Sequence, residues 1–186
     1  MTANSPGTTR LVDHLRTHAL VTGGRYTLRS GIVSDWYLDG RRTTFDGEGA
    51  LLVGRAVFEA LDPATEVVGG MTMGADPIAV ATAVVGQLEG RRLSAFSVRK
   101  EAKSHGIGGR LVGPVEKGER ATVVEDTTTT GGALCEAVEV VLEAGLFVLQ
   151  AVALVDRSGG AAAERLAALS VPYLSLVSPA DLGVAG

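Results

Sequence analysis

The segment "VVEDTTTTGGAL", residues 123–134, indicates the class of fold. It begins in a short apolar run, "ATVVE", and leads into "GALCEAVEVVLEAG", where Leu134, Val138, Val141 and Leu142 fall on one helical stripe. The pattern predicts a buried strand, a turn rich in threonine and glycine, and then a helix. Such a turn lies at the carboxyl end of a strand, where open α/β sheets bind ligands.

Further apolar runs on either side of this segment predict more strands of the same sheet. "EVVGG", "LSAFSV", "FVLQAVALV" and "YLSLV" are bounded by polar or turn residues, and helical patterns cover residues 49–61 and 76–90, with Pro77 in a first turn. Nearer the N-terminus we predict a helix over 9–20 and strands at 25–30 and 34–39, which form a small flap over about residues 20–45. We therefore predict one α/β domain over residues 1–186, with a central, mostly parallel sheet flanked by helices.

Composition restricts the function classes. The 186 residues are 46% hydrophobic and include 25 glycines, as expected of a compact α/β enzyme, and the net charge of −4 argues against a general nucleic-acid binder. The single cysteine, Cys135, allows no internal disulfide and is predicted to pack within a helix. "MTANSPGTTR" is unlike a signal peptide and no apolar run is long enough to span a membrane, so we predict a cytoplasmic protein without a membrane partner.

The threonine-rich turn has the chemistry of an anion site. Backbone N–H groups at a helix N-terminus favour a phosphate, threonine hydroxyls add donors, and Gly131 and Gly132 allow close approach. The alternative is an ordinary turn with Thr130 as the helix N-cap. Glu125 and Asp126 would repel a bound phosphate unless ribose hydroxyls or a magnesium ion lay between them, so the segment indicates a ribose 5-phosphate group.

A basic cluster, "RKEAKSHG" at residues 99–106, is the second candidate site. It holds Arg99, Lys100, Lys103 and His105, and two of the three lysines of the chain are among them. Charge runs are commonly solvated surface. The concentration of lysine between an apolar strand and the glycine-rich "GIGGR" favours a cationic loop that closes over a polyanion.

These segments resemble two motifs of known enzymes. "VVEDTTTTGGA" resembles the phosphoribosyl pyrophosphate (PRPP) motif of the type I phosphoribosyltransferases, with Thr127 and Thr128 where the family usually has apolar residues. "RKEAK" followed by "HG" resembles the catalytic loop of the orotate phosphoribosyltransferases. The resemblance covers residues from about 10 to 180. It implies a type I phosphoribosyltransferase-like fold and a pentosyltransferase that makes orotidine 5′-monophosphate and pyrophosphate from orotate and PRPP, in pyrimidine (UMP) biosynthesis.

The resemblance also implies roles for individual residues. Catalytic roles fall on Lys103, Glu125 and Asp126, in part through Mg²⁺ bound mainly by PRPP. The residues expected to bind PRPP are Arg99, Lys100, Lys103, His105, Glu125, Asp126, Thr127, Thr128, Thr129, Thr130, Gly131, Gly132 and Ala133. Those expected to bind orotate are Arg29, Tyr37, Leu38, Thr129 and Arg157.

The resemblance further implies a homodimer with shared active sites, in which a mobile loop over 99–109 reaches the partner subunit. Gly74 stands where some members carry a lysine that touches pyrophosphate. Trp36 is predicted to pack within the flap rather than to stack on a base.

Three alternatives remain open at this stage. His14 and His18 are spaced to share a metal, although a solvated helix face is the simpler interpretation. A phosphoribosyltransferase for another nucleobase would share the PRPP motif but lack the basic loop. A PRPP-sensing regulator on the same fold would need a basic nucleic-acid-binding face, for which this acidic chain gives no sign.

Overall fold

A computed structural model describes residues 6–27, 33–103 and 109–185 of the chain. The helices are α1 (Pro6–His14), α2 (Arg41–Thr44), α3 (Gly47–Ala60), α4 (Ala75–Leu88), α5 (Gly132–Glu143) and α6 (Ala161–Ala168), and a π-helical turn, Leu15–Ala19, follows α1. The strands are β1 (Leu20–Thr27), β2 (Val33–Leu38), β3 (Val67–Met71), β4 (Ser94–Lys103), β5 (Gly109–Val112), β6 (Arg120–Thr128), β7 (Phe147–Asp156) and β8 (Tyr173–Val177).

Six of these strands form the main sheet, in the order β5-β4-β3-β6-β7-β8. Every neighbouring pair is parallel except β4 and β5, which are antiparallel. Strands β1 and β2 form a separate antiparallel pair. The predicted α/β class, with a mostly parallel sheet, is therefore confirmed.

Two apolar cores lie on opposite faces of the sheet, because successive strand residues point to opposite sides. Along β6, Ala121 and Val123 belong to the core that contains the buried face of α5, whereas Val124 belongs to the core that contains α1, α3 and α4 residues. Cys135 is half-buried against the α5 core, in line with its predicted packing role. Helices on both faces explain why the inner strands carry apolar residues on both sides, as Val67 and Val68 do in β3 and Val123 and Val124 in β6.

Two boundaries differ from the predictions at the carboxyl edge of the sheet. Strand β6 continues through Thr127 and Thr128, because these β-branched residues pair with Val155 and Asp156 of β7. Strand β4 continues through Arg99 to Lys103, where it pairs with Gly109 of β5, so the first half of the predicted 99–109 loop is strand.

The interpretation of His14 as part of a solvated helix face is wrong. His14 is buried on the same stripe as Leu11 and Leu15, and its ring nitrogens lie 3.2 Å from Thr43 Oγ1 and 3.1 Å from Asp46 Oδ1. Asp46 in turn caps α3 by accepting the N–H of Gly49. The two ring nitrogens of His14 therefore join α1 to α2, through Thr43, and to the N-cap of α3, through Asp46.

None of the helices in the described ranges has the length and apolar character needed to cross a bilayer.

Candidate active site at the carboxyl edge of the sheet

The turn between β6 and α5 is built by its own side chains and by a glycine. The Gly131 N–H donates to Thr128 Oγ1 at 3.0 Å, and Thr128 is buried. Gly131 has φ of 77° and is the N-cap of α5, so Thr130 is not the cap. A Cβ at Gly131 would lie 2.8 Å from Ala162 Cα, so only glycine fits where the turn passes the start of α6.

This geometry divides the predicted phosphate-binding residues into two groups. The Gly131 N–H donates to the Thr128 hydroxyl, so it is not a free donor, and the Thr128 hydroxyl itself interacts with the carboxyl of Glu125. Thr129 is half-buried, Thr130 is exposed, and the Gly132 N–H makes only a long 3.5 Å contact to Thr130 Oγ1. The first N–H groups of a helix have no acceptor within the helix, so Gly132 and Ala133 leave donors for an anion.

The two acids at the end of β6 have different surroundings. Asp126 lies beside two glycines: a Cβ at Gly74 would be 2.6 Å from Asp126 Oδ1, and one at Gly40 would be 3.4 Å from Asp126 Cβ. Its Oδ1 accepts the N–H of Thr127 at 2.8 Å. Burial raises the pKa of Asp126, although the Thr127 N–H and the Arg41 guanidinium act in the opposite direction.

Glu125 is the more strongly perturbed acid. Burial, together with the negative charges of Asp126 and Asp156, raises its pKa to about 7. Its Oε2 is buried and has no hydrogen-bond partner among the described residues. A buried carboxyl with an open acceptor and a pKa near neutrality is typical of a binding or catalytic site rather than of a packed core.

Arg157 follows β7 and lies next to the turn. Its backbone N–H donates to the Thr128 carbonyl at 2.8 Å. Its Nη2 donates to Ser34 Oγ at 3.2 Å and to the Trp36 carbonyl at 3.4 Å, and its Cζ lies 3.4 Å from the centre of the Trp36 ring. The Nε is buried without a partner in the described part of the chain, and burial lowers the pKa of this guanidinium. The site thus holds a cation with an unused donor.

The two-stranded sheet of β1 and β2 lies beside Arg157. Tyr37 is partly exposed, with its ring 6.0 Å from that of Tyr26, whereas Leu38 and Trp36 are buried. The burial of Trp36 confirms its predicted packing role. Since Leu38 is only 4% exposed, a contact with a ligand would have to come from its backbone. Arg29, the other residue predicted for this sheet, lies outside the described residues.

The basic segment lies at the same edge of the sheet as the turn, where β4 extends beyond its neighbour β3. Met71 is the last residue of β3 and pairs with Val98, so Arg99 to Lys103 extend beyond the end of β3. Arg99 is half-buried and its carbonyl accepts Arg110 Nε at 2.7 Å, whereas Lys100 is exposed. His105 lies outside the described residues.

Sequence reasoning missed several residues at the site. Arg41 forms an ion pair with Asp39, with Nε 2.7 Å from Oδ1, and its charge acts on Asp126. Asp156 and Tyr173 approach Glu125 from β7 and β8, and burial beside these carboxylates raises the pKa of the Tyr173 phenol. The "GRR" triplet that follows β2 was the available signal for Arg41. The sequence contains no comparable signal for Tyr173, because this residue is 48 positions from Glu125 in the chain.

The fold and the site together define a class. A mostly parallel sheet with two acids, a threonine- and glycine-rich turn and a helix N-terminus at its carboxyl edge is the arrangement of the type I phosphoribosyltransferases.

Comparisons with known proteins narrow this class. No protein-family model matches the chain. The orotate phosphoribosyltransferase of Streptomyces avermitilis is 46% identical over 94% of this chain and 96% of its own length. The orotate phosphoribosyltransferase of Mycobacterium tuberculosis H37Rv, in complex with Fe(III) dicitrate, superposes with a TM-score of 0.84 at 40% identity, covering 96% of this chain and 100% of that one. The structure of the same enzyme in complex with PRPP superposes with a TM-score of 0.78 at 36% identity, covering 96% of this chain and 100% of that one. The chain belongs to the orotate phosphoribosyltransferase family.

Proposed function

We propose that this protein transfers the 5-phosphoribosyl group of PRPP to orotate, giving orotidine 5′-monophosphate and pyrophosphate. The observation that carries the proposal is Arg157, a half-buried guanidinium with a buried, unpartnered Nε, placed directly beside the threonine- and glycine-rich turn. A planar guanidinium is suited to a carboxylate, and among the common nucleobases orotate has one. The family relationship supports the same substrate pair.

The ribose 5-phosphate part of PRPP is assigned to the β6–α5 turn. The 5-phosphate is bound by the N–H groups of Gly132 and Ala133 and by the hydroxyls of Thr129 and Thr130, which project at the N-terminus of α5. Thr128 and Gly131 shape this turn from within, because their polar groups are paired with each other. The other member of the predicted set, Thr127, has a buried Oγ1 without a partner among the described residues, and we assign it to the ribose side.

Glu125 and Asp126 are assigned to the ribose hydroxyls. Breaking the C1–pyrophosphate bond builds positive charge on the ribose, and carboxylates placed beside it stabilise that charge. Pyrophosphate leaves with the bonding electrons, the ring nitrogen N1 of orotate bonds to C1, and the proton that N1 carried is released to solvent. Glu125 enters this step as a carboxylate only once it has lost its proton, since its pKa is near 7 without ligand.

The pyrophosphate is assigned to the basic segment. Arg99 and Lys100 extend beyond the end of β3 at the site edge of the sheet, and Lys103 is the last residue of β4. We assign Lys103 to the leaving group, with His105 beyond it. Gly74 has no side chain for the pyrophosphate contact that a lysine makes in some members of the family, and a Cβ there would lie 2.6 Å from Asp126 Oδ1.

Magnesium fits this site as part of the PRPP complex. No group of three His, Cys, Asp or Glu side chains within the described ranges is placed to hold a metal alone. The unpartnered Oε2 of Glu125 and the carboxylate of Asp126 offer the oxygen ligands that Mg²⁺ prefers, and PRPP supplies the rest. When bound, the ion neutralises charge on pyrophosphate and ribose oxygens.

We further propose a cytoplasmic homodimer with shared active sites. On α4 the side chains of Val80, Val84 and Leu88 recur at every fourth position and are 57%, 54% and 74% exposed. Such an apolar stripe suits a second copy of the chain better than water. The dimer would bring Lys103 of one subunit to the turn of the other.

The test is a panel of bases. Purified protein with PRPP and Mg²⁺ should release pyrophosphate with orotate but not with uracil, adenine, guanine or hypoxanthine, because those bases leave Arg157 without a carboxylate partner. Arg157→Ala should raise the KM for orotate, while Lys103→Ala should mainly lower kcat, because a leaving-group contact strengthens in the transition state. Comparable turnover with uracil would rule out the orotate assignment, and identical kinetic defects in the two variants would rule out the division of roles.

A further inference from the structure

The Trp36 side chain is the platform on which Arg157 rests. The guanidinium carbon lies 3.4 Å from the ring centre, and Trp36 is only 4% exposed. The same residue accepts a hydrogen bond from Arg157 Nη2 through its carbonyl, and Ser34, two residues earlier in β2, accepts a second. A short segment of one strand therefore holds the guanidinium by a ring face and two neutral oxygens.

The indole is itself fixed from the opposite end of the chain. Its Nε1 donates to the Ala185 carbonyl at 2.9 Å, a contact across 149 positions of sequence. The segment before Ala185 is anchored by the buried Leu182 and by Asp181, whose Oδ2 accepts from the N–H and the hydroxyl of Ser178 at 2.8 and 2.6 Å. The position of the Trp36 ring, on which the guanidinium rests, is therefore fixed by contacts within the protein itself.

The chemistry of these contacts leaves the charge of Arg157 available. An acidic neighbour would also fix an arginine, but it would compete with an incoming carboxylate. None of the ion pairs within the described residues includes Arg157, and its Nε has no partner there. An aromatic face attracts a guanidinium without neutralising it and uses none of its N–H groups, so the Nε–H of Arg157 remains available.

We propose that Trp36 is a positioning residue for substrate recognition, which holds the Arg157 guanidinium in the orientation that receives the carboxylate of the base. The inference rests on the proposed function, since it takes that carboxylate to be orotate. An arginine loses much rotamer freedom when it is fixed. Because Trp36 imposes this ordering in advance, orotate binding is strengthened without any contact between orotate and the indole.

The test compares Trp36→Leu with Trp36→Phe. Leucine removes the ring face and should raise the KM for orotate by about tenfold, with much smaller changes in kcat and in the KM for PRPP. Phenylalanine keeps a ring face and should recover most of the orotate affinity. Val33→Ala, an exposed change in the same strand, is the control for general disturbance of β2 and should leave both KM values unchanged.

A double-mutant cycle separates positioning from stability. In an Arg157→Lys background, Trp36→Leu should cause little further increase in the KM for orotate, because the planar group that Trp36 positions is no longer present. An additive effect in the cycle, or equal increases in the KM values for orotate and PRPP, would overturn the proposal. If Trp36→Leu does not fold, Trp36→Met, whose flexible side chain also lacks a ring face, takes its place in the cycle. Failure of the wild-type protein to use orotate at all would instead reject the proposed function.

Discussion

Replacing Glu125 by glutamine should stabilise the unliganded protein, and more so at high pH. The substitution keeps the shape of the side chain but removes a carboxyl that is buried beside Asp126 and Asp156, with a pKa raised from 4.5 to about 7. A carboxyl whose pKa is higher in the folded than in the unfolded protein favours folding only while it is protonated. Its ionisation therefore lowers the free energy of unfolding as pH rises from about 4.5 to about 7, beyond which the penalty is constant.

The size of this change in the free energy of unfolding follows from the pKa shift of Glu125. A shift of about 2.5 pKa units corresponds to a penalty of about 3 kcal/mol at about pH 8, and only about 1 kcal/mol at about pH 5. Glu125→Gln should escape this penalty, so its advantage over wild type should grow by about 2 kcal/mol between the two pH values.

Urea unfolding at the two pH values, without PRPP or divalent ions, measures the difference. Glu139→Gln is the matched control, because this exposed residue of α5 is solvated in both states. A constant difference between Glu125→Gln and wild type across the pH range would refute the assignment of a raised pKa to Glu125. The variant should also have a lower kcat/KM for PRPP, because a carboxylate is needed at the ribose. A substitution that stabilises the protein but lowers its activity is expected where a buried carboxylate destabilises the fold and is needed for catalysis.

Three further predictions concern the neighbouring parts of the site. Gly74→Ala should raise the KM for PRPP, because the new Cβ would lie 2.6 Å from Asp126 Oδ1 and displace that carboxylate. Gly40→Ala is the control and should have little effect, because its Cβ would lie at an ordinary distance of 3.4 Å from Asp126 Cβ. Equal KM values for the two variants would count against the role of Asp126. Exhaustive chelation of divalent ions should abolish turnover and added Mg²⁺ should restore it, so full activity in chelator would exclude the metal. Mixing inactive Lys103→Ala and Asp126→Asn subunits under exchange should restore roughly a quarter of wild-type activity, because half of the dimers are mixed and each has one intact site of two. Confirmed subunit exchange without recovered activity would exclude shared sites.

Local sequence patterns determined the architecture of this protein. The apolar runs that became β3, β6, β7 and β8 and the helical stripe of α5 were all readable from residues that are close together in the chain. They also placed the PRPP-type turn at the carboxyl edge of the sheet. Hydrophobic periodicity and turn residues act over a few positions, so one sequence is enough to recognise them.

Tertiary structure decided the limits of the elements and the state of the site residues. Thr127 and Thr128 joined β6 because β7 offered them partners, and Arg99 to Lys103 continued β4, whose last residue pairs with β5. The sequence does not distinguish Glu125 from Asp126, because both are acids at the end of one strand. In the folded protein, burial and the nearby charges of Asp126 and Asp156 raise the pKa of Glu125 to about 7. The stack of Arg157 on Trp36 joins residues 121 positions apart. Pairing, burial and charge proximity depend on which segments the fold brings together, and no short-range pattern records that.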